Sequence, residues 1–468
     1  MVFSSAVFLF VFLPIVLMAH TVIKNNNARN VLLIVASLIF YAFGEPVYIL
    51  LLLLSVAVNY AFGWVLGRNK SKAVLAVAVI LNIGILVIFK YTGFIVEMLN
   101  YIPGINIPVP EITMPIGISF FTFQAISYIV DVYRDKAPQR AGFFDVLLYI
   151  SLFPQLIAGP IVQYRTVADQ IKDRRINIDK FAAGIRRFIL GLSKKMLLAN
   201  TVGYAADKIF SLDAGGIDTP LAWLGAVCYT LQIYFDFSGY SDMAVGIGYA
   251  LGFDFPENFN YPYISVGIRD FWRRWHMSLT GWFREYLYIP LGGNRKGKAR
   301  QILNSMVVFL CTGIWHGANL TFLVWGAFHG ILMSLETLFY KKDKPAKKAL
   351  TPVKWLYTAL AVIIGFVIFR ADSLGYGFEY IGRMFAFTIT EEGTRVFLSL
   401  ATPSFICTII AAVIAACPIV PFIRSKLENR KAYGFVSGMC YVLSFGLLFL
   451  CVLTLASDSY NPFIYFRF

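Results

Sequence analysis

Charge is scarce in this sequence. Only 14% of its 468 residues are Asp, Glu, Lys or Arg, while 58% are apolar. Soluble domains carry nearly twice that charged share, so a water-exposed surface cannot be drawn from this composition. Histidine is scarcer still, limited to His20, His276, His316 and His329. The six cysteines (Cys228, Cys311, Cys407, Cys417, Cys440 and Cys451) all lie in apolar segments without ligand-like spacing. They suggest neither a disulfide framework nor a zinc site, and no metal is expected. There is no G-x-S-x-G elbow, no H-E-x-x-H helix, no internal repeat and no low-complexity linker. The glycine-rich stretch Leu291–Lys298 does not match a phosphate-binding loop.

What is present is apolar length. Mean hydropathy is +0.68, and hydrophobic runs recur at close to the roughly 20 residues that span a bilayer as a helix. Clear runs are Val47–Leu66, Ala73–Phe89, Leu303–Ile314, Phe322–Leu338, Trp355–Phe369, Phe405–Phe422 and Phe435–Leu455. About 11 to 13 crossings are expected on this pattern, forming one all-α polytopic membrane domain. Met1 to Ala19 lacks the basic start and the small-residue cleavage site of a signal peptide, and reads as a first, retained span. Residues 1–142 alternate spans with short turns. Residues 143–340 carry the departures: Pro154 and Gly159-Pro160 interrupt one run, which predicts a re-entrant or interfacial element. The stretch Asp236–Arg300 is too polar for a simple span. Residues 341–468 return to plain spans and end in an aromatic tail.

The net charge of +15 is distributed between spans. Basic clusters fall at Lys24/Arg29, Arg68/Lys70/Lys72, Arg134/Lys136/Arg140, Arg165–Lys195, Arg269–Arg300, Lys341–Lys354 and Arg424–Lys431, which marks those loops as cytoplasmic. Tyr91–Glu111 and Thr388–Arg395 are poor in base and read as external. Charge placed this way serves membrane insertion and contact with lipid, and excludes nucleic acid as the partner.

Intramembrane ionisable residues are functional candidates by default. His316 stands in Cys-Thr-Gly-Ile-Trp-His-Gly-Ala-Asn-Leu, apolar on both sides, with Gly313 and Gly317 spaced four apart so that another helix can approach closely. The other reading is a buried histidine satisfied by a hydrogen bond. His329, 13 residues on, falls on a different helical face and reads as packing. Around His276, a helical period of about 100° per residue puts Trp272, Trp275, Leu279, Phe283 and Tyr286 on one face. Arg273, Arg274, Arg284 and Glu285 lie away from it. The segment reads as an amphipathic helix at the cytoplasmic interface with His276 pointing inward; a basic lipid anchor is the alternative. Either histidine could serve as a general base toward a hydroxyl.

A set of motifs then becomes recognisable. Asp236-Phe-Ser-Gly-Tyr-Ser-Asp-Met-Ala, Pro256-Glu-Asn-Phe-Asn-Tyr-Pro-Tyr, Asp270-Phe-Trp-Arg-Arg-Trp-His-Met-Ser-Leu, Glu285-Tyr-Leu-Tyr-Ile-Pro-Leu-Gly-Gly-Asn-Arg and Ile314-Trp-His-Gly-Ala closely resemble the membrane-bound O-acyltransferase (MBOAT) family. Within it they resemble the bacterial branch that O-acetylates alginate and peptidoglycan. The resemblance implies a helical bundle around a central tunnel in the bacterial cytoplasmic membrane. It also implies a cytosolic acyl thioester, acetyl-CoA, as donor substrate, with no bound cofactor, and a cell-envelope polysaccharide as acceptor. His316 matches the family's active-site histidine and His276 its second functional position. Asp270, Trp272, Arg273, Arg274 and Trp275 would be tunnel or substrate-contacting residues. A partner of the extracytoplasmic SGNH kind (AlgX/AlgJ/PatB-like) is implied as well. D-alanyl transfer to teichoic acid, as in the related DltB proteins, is the near alternative. A polysaccharide flippase is the alternative of another class, and it would predict symmetry between halves, which is not seen.

The tail Phe463-Ile-Tyr-Phe-Arg-Phe follows a final span that starts near cytoplasmic Lys431 and so ends outside. It resembles the tyrosine-containing C-terminal motif of the small DltX partner in D-alanylation. Tyr465 is therefore a candidate acyl relay; an interfacial aromatic anchor is the other reading.

Overall fold

Inside a bilayer every peptide N–H and C=O must be satisfied within the protein, and a helix does this segment by segment. Every regular element among the described residues is accordingly helical. The computed structural model describes residues 1–137, 141–339, 350–427, 433–457 and 460–464. Among these, five helices are long and apolar enough to cross a membrane: Ile49–Arg68, Lys72–Asn100, Leu320–Phe339, Thr351–Arg370 and Gly434–Ser457. Glu391–Leu400 and Pro403–Ala415, bent by 77°, make a sixth if they form one broken span. Other apolar runs fold as shorter helices such as Phe8–Val22 and Ile118–Tyr133. The protein is an all-α polytopic membrane protein.

The chain forms two compact units. The first comprises Met1–Phe188 and Tyr240–Glu257. Its centre is the helix Ile118–Tyr133, buried from Ile118 through Val132. Asn59 and Asn82, on consecutive spans, exchange side-chain hydrogen bonds of 3.0 and 2.8 Å, the polar contact that joins helices where no hydrophobic force does. The interrupted run of the sequence becomes two short helices, Phe143–Ser151 and Phe153–Leu156, followed by chain that stays buried through Val162. Side chains satisfy its backbone. Phe153 N–H donates to Ser37 Oγ at 3.0 Å, Tyr149 Oη to Val162 O at 2.8 Å, and Gln155 Nε2 to Tyr149 O at 2.5 Å.

The second unit, Ile189–Gly239 with Asn258–Phe468, contains His276, His316 and His329. Here one sequence expectation is corrected. The stretch read as too polar for a simple span begins within a helix, since Asp236 lies inside the 33-residue helix Thr219–Leu251 and helical structure stops only at Gly252, where φ is +86°. Helices Gly297–His316 and Leu320–Phe339 run antiparallel across a three-residue turn, 317–319. Glycines set their separation. A Cβ on Gly313 would run into the Phe322 carbonyl, and one on Gly326 would fall 2.5 Å from Phe309 O. Thr351–Arg370 packs on the other side of the second helix, with Phe369 5.1 Å from Trp325.

Gly326→Val should lower the melting temperature of the detergent-purified protein by several degrees, since overpacking of this kind costs about 1–3 kcal/mol. Gly281→Ala adds a Cβ with nothing within 4 Å inside a helix and should not lower melting. Identical melting of the two variants would show that the close approach is not needed.

Candidate active site

His316 is the last residue of its helix and is buried. Gly317 turns the chain away, and a Cβ there would collide with the ring of Phe322. This turn also corrects the placing of His329, which is not on the His316 helix at all. His329 sits midway along the next one, packed against Trp272, Trp325 and Phe328 at 5.2, 5.1 and 5.4 Å between ring centroids.

The segment 270–286 is not one amphipathic helix. Helices Ile268–Trp272 and Met277–Phe283 are broken at His276, whose φ is +43° and ψ +52°. A left-handed backbone is uncommon for such a residue and persists where its surroundings hold it. Asn258 holds it. Its carbonyl accepts the Met277 N–H at 2.9 Å. Its Oδ1 accepts from Ser278 N–H at 3.3 Å and Ser278 Oγ at 2.9 Å, and lies 3.1 Å from His276 Nδ1. An oxygen already receiving an N–H is the acceptor in that contact, so His276 Nδ1 carries the proton. His276 stands between short helices rather than in a spanning one, and burial lowers its pKa to about 3. The imidazole is therefore neutral near pH 7, with its lone pair on Nε2. The expected apolar face survives the break, with Trp272, Trp275, Leu279 and Phe283 all buried.

His276 and His316 line one small cavity of about 20 Å³, walled by Phe237, Trp275, Trp325 and Phe369. Trp315 links the two imidazoles, its ring lying 6.1 Å from that of His276 and 5.0 Å from that of His316. His316 meets Trp325 and Phe369 edge to face at 5.2 and 5.1 Å, so bulky rings fix its plane and keep water away.

A second cavity of about 380 Å³ is lined by Arg269, Trp272, Arg273, Arg284 and Thr312 among others. Trp272 borders it and packs 5.7 Å from Trp325 of the histidine cavity. The sequence candidates thus separate. Trp275 joins the histidines, while Trp272 and Arg273 line the larger cavity. Asp270 and Arg274 pair with each other at 3.0 Å, and Arg274 also donates to Asn260 O at 3.3 Å.

Sequence reasoning assigned no role to Asn258, although it lies in the quoted motif Pro256-Glu-Asn. It also missed the partners of the tail. Ile464, buried, lines the histidine cavity, and its N–H donates to Asp236 Oδ2 at 2.8 Å. Tyr465 lies outside the described residues. Among the described residues no group of three or more His, Cys, Asp or Glu could hold a metal ion.

Two histidines thus share one aromatic-walled cavity inside a helical membrane protein. The chain belongs to the membrane-bound O-acyltransferase family, whose model matches residues 43–377, and it is a multi-pass acyltransferase of the bacterial inner membrane. It is 39% identical to the probable alginate O-acetylase AlgI of Pseudomonas putida over the full length of both chains. It is 43% identical to the protein of that name from Pseudomonas aeruginosa, over 83% of this chain and 75% of the relative. The peptidoglycan O-acetyltransferase of Helicobacter pylori is 32% identical over 100% of this chain and 98% of its own length.

The geometry at His276 selects the variant that tests it. Asn tolerates left-handed backbone, so His276→Asn should insert and purify like the wild type yet lose roughly a hundredfold or more in acyl transfer. A branched Val cannot take that conformation, so His276→Val should fail to accumulate. Wild-type transfer rates in membrane vesicles bearing His276→Asn would remove this imidazole from the chemistry.

Proposed function

We propose that this protein takes acetyl from cytosolic acetyl-CoA and passes it across the membrane for O-acetylation of an extracytoplasmic polysaccharide. The observation that carries this reading is that His276, His316 and the C-terminal tail meet at one cavity. Tyr465 follows Ile464 directly and is the nucleophile in this scheme.

In the first step the Tyr465 oxygen attacks the thioester carbonyl while His316 takes the phenolic proton. The C–S bond breaks, and the departing thiolate receives that proton. His276, neutral and oriented by Asn258 with its lone pair on Nε2, supports the step by accepting an amide N–H of the donor's pantetheine arm. In the second step a hydroxyl of an SGNH-type partner attacks the phenolic ester. The bond between acyl carbon and phenolic oxygen breaks, and the phenolate recovers the proton given up by the attacking hydroxyl. The partner then acetylates the polymer. A phenol of pKa about 10 leaves more readily than an alkyl alcohol, so the tyrosyl ester stays reactive enough to pass its acyl group on.

Three further features support this account. Guanidinium groups suit phosphate oxygens, and Arg269, Arg273 and Arg284 border the larger cavity, where they could meet the phosphates of a coenzyme A thioester. The histidine cavity is small and aromatic-walled, which favours acetyl over longer chains. The names of the relatives, alginate O-acetylase and peptidoglycan O-acetyltransferase, point to a polysaccharide acceptor.

His316→Ala should abolish polymer acetylation at unchanged protein abundance, and Tyr465→Phe, which deletes one oxygen, should do the same. Acetylation retained by His316→Ala would refute the general base. Acetylation retained by Tyr465→Phe would make the tail an anchor.

A further inference from the structure

The last described residues do not lie loosely on the surface of their unit. Lys195 and Asp236 form an ion pair of 2.9 Å with side chains only 4% and 2% exposed. Both members also bind backbone of the tail: Lys195 Nζ donates to Pro462 O, and Asp236 Oδ2 accepts the Ile464 N–H. Two residues before Pro462, Asn200 Nδ2 donates to Tyr460 O at 3.2 Å. Tyr460 Oη donates to Asp207 Oδ2 at 2.7 Å, and Asp207 is itself held by Arg370 at 3.0 Å. The tail is therefore gripped at residues 460, 462 and 464, mostly through main-chain atoms, and its last described side chain enters the histidine cavity.

A buried ion pair is a poor way to stabilise a fold, because desolvation cancels much of its attraction and an apolar pair often does as well. This pair has a second use. Withdrawing the tail would leave Asp236 Oδ2 and the Lys195 ammonium each short of a partner in a dry interior, which is costly. We infer that Lys195 and Asp236 are positioning residues that lock the tail in register beside His276 and His316 and keep it docked throughout turnover. Register is set at Ile464, one residue before the proposed nucleophile. The role of the acyl carrier rests on the reading of Tyr465 given above; the docking of the tail does not.

The test reads docking and chemistry separately. In a cysteine-free background, Phe463→Cys (Phe463 is 5% exposed) is labelled with a maleimide in isolated membranes, alone and combined with Lys195→Met/Asp236→Leu. The apolar pair replaces the ion pair at similar volume, so folding should survive, as judged by a monodisperse elution profile. Labelling should accelerate at least about tenfold, as expected when buried partners are removed, and polymer acetylation should be lost. Asp236→Asn, nearly isosteric, gives the same reading should the double variant not accumulate: faster labelling and weakened acetylation at normal abundance. A thiol at position 463 that stays protected in a well-folded clamp variant would overturn the inference, as would wild-type acetylation by that variant. Tyr465→Phe in the same assay should keep the introduced thiol protected while losing activity. If it stays active, the relay fails while the labelling result still decides the clamp.

Discussion

A polar group enclosed by apolar side chains must find a partner, and in a chain this poor in charge each such partner is also an address. Asn59 meets Asn82 to register two spans. Tyr149, Gln155 and Ser37 satisfy the broken chain around Pro154. Asn258 holds His276 at an unfavourable backbone angle, and Asp236 with Lys195 holds the tail. Apart from the Asn59–Asn82 pair, which joins two regular helices, these polar side chains sit where irregular backbone has to be kept in place inside the protein.

The chemistry inherits this order. Rigid aromatic rings fix the plane of His316, and close packing at Gly313 and Gly326 fixes the helix end that carries it. His276 is neutral because it is buried, and its tautomer follows from the oxygen it faces. A cavity lined by two imidazoles and aromatic walls offers little room and few charges.

Much of this was legible in the residues themselves. The spacing of Gly313 and Gly317 pointed to close packing around His316; Gly313 does admit the neighbouring helix, whereas Gly317 lies beyond the helix end, in the turn, against the ring of Phe322. The aromatic face around His276 was also readable, because side-chain burial follows helical period even where the helix is interrupted. The interruption was not readable: a left-handed residue held from 18 positions away leaves no mark in local periodicity. The break after His316 was legible as the gap between the runs Leu303–Ile314 and Phe322–Leu338, yet His329 was compared with His316 on a single helical wheel that does not apply. The clamp was least visible. Lys195 belongs to a basic stretch that reads as topology, Asp236 to a motif without an assigned role, and their meeting with residues 462 and 464 joins segments more than 200 positions apart.

The central claim is that the docked tail carries the acyl group. It is tested most directly by mass spectrometry of the C-terminal peptide from membranes incubated with acetyl-CoA and no acceptor protein. The account predicts one acetyl group on Tyr465 in the wild type and none in His316→Ala. An unmodified Tyr465 in membranes that go on to acetylate polymer once acceptor is added would contradict it.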